Sequence, residues 1–484
     1  MEEKDQKNII EPKKQPLVMK FGGTSVGSSD ALLKASQIVR DVYKDHKKII
    51  IVVSAMSGIT NHLITCAKNA EAGDEEGYLC NISKIQQRHL DVISALPFSP
   101  QSREYLNEMI NSFMENLINY CSSIQTLGEV TPRGMDAISS IGERINARQF
   151  STLLSEFNLP SIPIDADEII ITDANFQNAH PLNHPTKRKV DTIISPMLKE
   201  EKIPVVTGFI SGTEEGITTT LGRGGSDYTA AVLGECLDAQ EVWTWTDVDG
   251  VMTADPAVVA NAKVIKQLTF DEVSEMAYFG AKVLHPKTMR PLMEKGIPLW
   301  VKNTFNPTFP GTCISTSAPQ NPGKITCVTT IKNVSLITVH GKGMLGVPGV
   351  AARTFSAVAK VNASVLMISQ SSSEQSICFV IPSADENKVI ESLNEELAFE
   401  LSREDVDAIN ALSNVVIITA IGAGMRRTPG VSASIFGALG KKGINVIAIA
   451  QGSSEYSVSL IVSGEEADQA VQEIHTEVII NGKH

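Results

Sequence analysis

From Leu17 to about Phe305, short apolar runs alternate with longer segments of helical period. The runs LVMKF, IIIVVSA, IPVVTGFI, EVWTWTD and IPLWVKN predict strands, and their unbroken apolar character predicts burial on both faces. Strands separated by helices predict a largely parallel sheet covered on both sides, with ligands beyond the carboxyl ends of the strands. A mostly polar stretch from about Glu75 to Ile124 reads as a helical excursion without a catalytic signature. Beyond Phe305, NPTFPGTCISTSAPQNPGK is dense in Pro, Gly, Ser and Thr, the composition of a linker.

After the linker the chain repeats itself. Residues 341–381 align without gaps with 422–462, and 17 of the 41 positions are identical. Each copy reads strand, Gly-rich turn, helix, strand, hairpin, strand, followed by a helix at about Ala384–Leu397 or Glu466–Val478. That order is close to a ferredoxin-like unit. The second copy ends after its last helix, while the strand-like ITCVTTI at 325–331 has no counterpart in the first. The early strand is therefore expected to complete the second unit, with the first inserted within it. The expected organisation is a tail at 1–16, an α/β catalytic domain at 17–310, a linker at 311–324, a first small domain at 333–405, and a second from 325–332 plus 413–484.

Composition narrows the function classes. The 484 residues carry 42 Lys+Arg against 55 Asp+Glu, a net charge of −13, which argues against nucleic-acid or anionic-membrane partners because both rest on surplus basic charge. No apolar stretch approaches the length of a membrane span, and residues 1–16 lack the apolar core of a secretory signal. Seven scattered cysteines without a CxxC pair support neither a disulfide framework nor a zinc site. A reducing, cytoplasmic setting is the expectation.

Three Gly-rich turns hold the candidate chemistry. The first strand runs into GGTSVG, so Lys20 is followed by Gly22, Gly23, Thr24 and Ser25. Glycines let backbone N–H groups approach a phosphate, and the lysine adds a point charge. Neither a Walker A loop nor a protein-kinase motif set is present. In TTTLGRGGSDYTAA, Arg223 lies among Gly222, Gly224 and Gly225, where its guanidinium can reach a carboxylate or phosphate. Ser226 reads as a helix N-cap and Asp227 as the first helical residue. The third turn, TWTDVDGVMTADP, places Thr246 and Asp247 at a strand end, suited to a nucleotide base or ribose, or less well to calcium. Thr60, Ser139, Gly142, Glu143 and Lys282 fall at expected helix starts, and His285 reads as a helix-end residue. In the repeats, Gly341, Gly343 and Gly346 imitate a dinucleotide-binding turn. The second copy has Arg427 at the third glycine and no acidic residue occurs from 347 to 373, so a tight structural turn or a small-ligand site is the better reading.

KFGGTSVG, SAMSGITN, SIGERINA, GFISG with TTTLGRGGSDYTAA, WTDVDGVMTADP and FGAKVLHPKT, in this order and before two small repeats, resemble the aspartate kinases of the amino-acid-kinase fold with paired ACT domains. QSSSE and QGSSE resemble the threonine-responsive branch, including the kinase half of bifunctional kinase–homoserine dehydrogenases. The resemblance implies an amino-acid-kinase sandwich followed by two ferredoxin-like ACT domains, and phosphorylation of L-aspartate to 4-phospho-L-aspartate by ATP, with magnesium carried on the ATP phosphates. It implies that Lys20 neutralises the transferring phosphoryl group and that Asp227 holds Lys20 and the substrate ammonium. Arg223 would clamp a substrate carboxylate, with Thr60, Glu143, Phe209, Gly224, Gly225 and Ser226 completing that site. Gly22, Gly23, Thr24, Ser25, Thr246, Asp247, Met252, Ala257, Lys282 and Val283 would face ATP. Met252 and Ala257 stand where many relatives have Tyr and Arg.

Paired ACT domains imply an amino-acid effector, threonine first and lysine second, read by Gly343, Met344, Gln370, Gly424, Met425, Asn445 and Gln451. Exposed ACT sheet edges predict a homodimer or tetramer. The rivals are a kinase of the same fold for glutamate, acetylglutamate or UMP, and a catalytically decayed amino-acid sensor.

Overall fold

The structure, a computed structural model, describes residues 15–281, 284–317, 324–344, 348–370, 376–425, 428–451 and 456–482. The chain divides into two compact units, one of residues up to 251 with 266–270 and 284–318, the other of 252–265, 271–283 and 319–484.

The strands of the first unit are β1 (Leu17–Phe21), β2 (Ile49–Val53), β3 (Ser161–Ile164), β4 (Ile203–Thr207), β5 (Ile210–Gly212), β6 (Thr218–Thr220), β7 (Glu241–Thr246), β8 (Gln267–Leu268), β9 (Leu299–Asn303) and β10 (Thr312–Ile314). Helices α1 (Ser29–Asp45), α2 (Ile59–Glu71), α3 (Glu75–Ala95), α4 (Pro100–Leu127), α5 (Pro132–Ser139), α6 (Ile141–Glu156), α7 (Asn183–Lys199) and α8 (Gly225–Cys236) precede α9 (Phe270–Tyr278) and α10 (Pro286–Lys295). Eight strands form one sheet in the order β3-β4-β2-β1-β7-β9-β10-β8, and only β10 runs antiparallel to its neighbour β9. Every residue of β1 and β2 is buried, as their unbroken apolar runs require of central parallel strands. β5 and β6 form a separate antiparallel hairpin.

The long helical stretch resolves into α3 and α4, separated around Pro97 and Pro100. Ser99 caps α4, accepting from the Ser102 N–H, and Pro100 takes a first-turn position where its missing N–H costs nothing. Their apolar faces join the main core through Ile82, Ile85, Leu106, Ile110 and Leu117.

The second unit contains β11 (Cys327–His340), β12 (Met367–Gln370), β13 (Ser376–Pro382), β14 (Ala408–Ile421), β15 (Ala448–Ala450) and β16 (Ser457–Ser463), with α11 (Val350–Lys360), α12 (Glu386–Glu396), α13 (Ala398–Ser402), α14 (Val431–Lys441) and α15 (Ala467–His475). Its antiparallel sheet has the order β12-β13-β11-β14-β16-β15. The two central strands are 14 residues each and run through both repeats: Cys327–Ile331 pairs with Ile417–Ile421, while Val334–His340 pairs with β13. Left-handed Asn333 (φ 60°) and Asn414 (φ 55°) interrupt these strands at the same place in each copy, and the β11–β14 register shifts between Ile331 and Val334. Asparagine tolerates this conformation better than most side chains. Separate apolar clusters lie under each repeat, one around Phe379 and Leu393, the other around Ile435 and Ile474.

The unbroken assignment of 17–310 to the first domain differs from the structure, in which the second unit also takes in 252–265 and 271–283. Ala254 and Val259 belong to the second repeat's core, the Thr253 hydroxyl meets His475 Nε2 at 2.9 Å, and Val328 donates to the Thr253 carbonyl at 2.9 Å. Met252 pairs in an isolated bridge with Val264, and the Ala257 N–H donates to Asp255 Oδ1.

Candidate active site

The carboxyl ends of β1, β2, β4 and β7 converge, and the groups singled out in the sequence gather there. Lys20, the penultimate residue of β1, sits in register with Thr244 of β7. Its Nζ lies 2.8 Å from Asp227 Oδ1, and Lys20 is 8% exposed. Thr244 Oγ1 lies 3.5 Å from the same Asp227 oxygen. A cation held at a strand end by one carboxylate is suited to a transferring phosphoryl group.

Glu143, in the first turn of α6, is almost wholly buried. Its Oε2 accepts the Phe209 N–H at 2.7 Å and its Oε1 the Ser226 hydroxyl at 3.1 Å. Burial pushes its carboxyl up to about 8, against the pull of the Phe209 N–H, the Ser226 hydroxyl and Lys20. A buried carboxyl so poised ionises when a cation arrives beside it. Gly208 makes the arrangement possible: a Cβ there would meet Ser226 Oγ at 2.4 Å and Glu143 Oε1 at 2.8 Å. Ser54, at the end of β2, donates to Ser226 Oγ at 3.0 Å, and Asn146 of α6 donates to the Ser54 carbonyl. The sequence reading does not single out Ser54, Gly208 or Asn146, although each lies inside a quoted motif, SAMSGITN, GFISG and SIGERINA respectively.

The Arg223 turn departs from expectation in one detail. Gly224, left-handed at φ 76°, is the N-cap of α8, so the helix starts at Gly225 and Ser226 and Asp227 lie inside its first turn. A serine cap would be strained at that φ, and the Ser226 hydroxyl is instead free to serve Glu143. Arg223 is exposed and has no ion-pair partner among the described residues. His285 caps α10 through its ring, accepting from Lys287.

The phosphate turn is narrower than its four residues suggested. The Gly22 N–H donates to the Trp245 carbonyl, and Ser25 donates its N–H to Gly22 and its hydroxyl to Trp245. Thr304 also donates to the Ser25 hydroxyl. Gly22 and Ser25 thus hold the turn to β7, while Thr24 is exposed. A Cβ at Gly23 would meet the Ala55 carbonyl at 2.9 Å. Thr60 is half-buried at the start of α2, and Thr246 donates to Asp247 at the end of β7. Lys282 and Val283 lie outside the described residues.

In the repeats, the Met344 and Met425 side chains belong to the two apolar cores. Gly343 packs against the backbone of Glu404 and Asp405, and Gly424 is left-handed at φ 68°. Gln370 and Gln451 are exposed at the ends of β12 and β15, and Asn445 is exposed nearby in sequence. The Ser369 hydroxyl donates to the Ile449 carbonyl at 3.1 Å, joining these edge strands. Among the described residues no His/Cys/Asp/Glu cluster could hold a metal, and no helix is long and apolar enough to cross a membrane.

A family model for the amino acid kinase family matches residues 15–303, and one for the ACT domain matches 337–397 and 418–478. Bifunctional aspartokinase/homoserine dehydrogenase 2, chloroplastic, of Arabidopsis thaliana is 35% identical over 471 residues, 96% of this chain and 51% of the relative. The chain thus spans about half the length of such bifunctional relatives. Aspartokinase 3, chloroplastic, of the same plant is 34% identical over 96% of this chain and 82% of its own. Among solved structures, E. coli aspartokinase III in complex with aspartate and ADP superposes with a TM-score of 0.78 at 30% identity, covering 96% of this chain and 100% of that one. With a family model over more than half its length and an aspartokinase 34% identical over 82% of that relative, the chain belongs to the amino acid kinase family, among the aspartokinases that carry paired ACT domains.

Proposed function

We propose that the chain phosphorylates the side-chain carboxylate of L-aspartate with ATP, giving 4-phospho-L-aspartate and ADP. The observation that carries this reading is the Lys20–Asp227 pair facing the same strand ends as buried Glu143 and exposed Arg223. An amino-acid substrate with two carboxylates and one ammonium matches that charge pattern. Its ammonium would lie toward Glu143 and Asp227, and its α-carboxylate would take the Arg223 fork, with Thr60 and Ser226 beside it. The side-chain carboxylate is already ionised and needs no general base. One of its oxygens attacks the γ-phosphorus, the bond from that phosphorus to the β–γ bridging oxygen breaks, and ADP leaves with the electron pair. Lys20 neutralises the charge on the transferring group, and the Gly23–Thr24 turn receives phosphate oxygens. Thr246 and Asp247 are placed for the nucleoside. Magnesium would ride on the nucleotide phosphates, which supply it with oxygen ligands.

ADP release measured with L-aspartate, L-glutamate, UMP or no acceptor tests this reading. Release with aspartate alone is expected; preference for another acceptor, or none, overturns it. Arg223→Lys keeps the charge but loses the fork, and should cost about 1.5–3 kcal/mol in aspartate use with ATP affinity unchanged. If ATP affinity falls instead, Arg223 belongs to phosphate.

The repeats supply regulation in the same proposal. The E. coli enzyme is also known in complex with lysine and aspartate in a T-state, with a TM-score of 0.77 at 31% identity. For this chain we infer threonine as the effector, with lysine second, acting near Gln370 and Gln451 in a homodimer or tetramer. Inhibition assays with each amino acid decide between them.

A further inference from the structure

Asp136 of α5 is fully buried and has no cation beside it among the described residues. Its Oδ2 accepts the backbone N–H groups of Gln177 at 2.9 Å and Thr220 at 3.1 Å, and its Oδ1 accepts the Thr220 hydroxyl at 2.8 Å. These donors come from two segments far apart in sequence, and both border the Arg223 turn. Thr220 ends β6, and the next residue, Leu221, donates to the Phe209 carbonyl at 2.9 Å. Ala179 donates to the Thr220 carbonyl at 2.9 Å, closing the other side. Gly222, left-handed at φ 73°, runs so close that a Cβ would meet the Gln177 carbonyl at 2.9 Å. Gln177 is itself left-handed at φ 68°, a conformation strained for a residue with a side chain. Its N–H aimed at Asp136 accounts for that strained backbone.

We propose that Asp136 is a positioning residue for substrate binding: through Gln177 and Thr220 it fixes the backbone from which Gly222 turns and Arg223 reaches the substrate carboxylate. It touches neither substrate nor nucleotide. A carboxylate suits the task better than an amide, because all three partners donate and both oxygens accept. The proposal rests on the reading of Arg223 as the carboxylate clamp.

Asp136→Asn retains the shape but presents an amide N–H₂ to a donor. Steady-state kinetics with aspartate and ATP varied separately should show KM for aspartate raised about tenfold or more, with kcat and KM for ATP within a few-fold of wild type. Thr220→Val removes only the hydroxyl and should shift KM for aspartate in the same direction by less, while Thr220→Ser restores it. A purely structural Asp136 would lower the melting temperature and leave the aspartate KM of the surviving enzyme unchanged, which overturns the proposal. Should Asp136→Asn fail to fold, the Thr220 pair decides: a folded Thr220→Val enzyme with wild-type KM for aspartate also overturns it. Arg223→Lys run in parallel separates the two readings, because an unchanged aspartate KM in that variant removes the clamp itself.

Discussion

Glu143 and Arg144 are neighbours on α6, yet one faces a site and the other a lock. Arg144 is clamped between Asp165 and Asp167 and donates to Thr218, while Arg148 one turn on also holds Asp165. Each of these charges is answered by another, and the side chains of Arg144, Asp165 and Asp167 are at most 16% exposed. Glu143, as deeply buried, has no ion pair of its own among the described residues, and burial pushes its carboxyl up to about 8 against hydrogen bonds from Phe209, Ser226 and Gly208 and the weaker pull of Lys20. The lesson is that buried charge alone does not mark function; buried charge left short of a counter-ion does.

Substitutions can break this contrast. Arg144→Met should cause the largest loss, about 3–5 kcal/mol of stability, because it leaves buried Asp167 without its cation and Asp165 with Arg148 alone; chemical denaturation reads it, and a near-neutral result would erase the distinction. Lys20→Met should act in the opposite way, lowering turnover roughly 10²–10³-fold while the unfolding midpoint stays near that of wild type. Glu143→Gln sharpens the contrast through pH. The folded carboxyl has a raised pKa, so its contribution to stability is present below the unfolded value near 4.5 and lost as pH rises through about 8. The ligand-free Gln variant should therefore gain on wild type between those limits, on the order of a few kcal/mol at most. A difference that does not change with pH would mean that Glu143 is already compensated. The smallest effect on basal turnover is expected from Gln370→Ala and Gln451→Ala, which should raise the inhibitory concentration of threonine. Equal sensitivity in both variants would remove these glutamines from the effector site.

Much of this was legible in the chain. The strands carrying Lys20 and Thr246 announce themselves by apolar runs that end just before Gly or Asp, and Asp227 by an unusual density of glycine around it. Ser54 escaped notice because it closes an apolar run and its role depends on Ser226, 172 residues away. Asp136 escaped for the same reason, its partners lying 41 and 84 positions distant. The α8 cap was misassigned because serine is the commoner cap, and only the left-handed φ of Gly224 decides otherwise. The allegiance of 252–265 to the second unit rests on contacts of Ala254 and Val259 that no local pattern reveals.

The two 14-residue strands that thread both repeats have a consequence for assembly. Neither repeat closes its sheet alone, since β11 pairs with β14 along both of its halves, and its second half also pairs with β13 on the other side. Cutting the chain after the first repeat would strip β11 of β14 and expose a long unpaired edge, a template for aggregation. Long-range strand pairing also delays folding until both copies have been synthesised. The tandem duplication has thus produced one indivisible folding unit instead of two interchangeable modules.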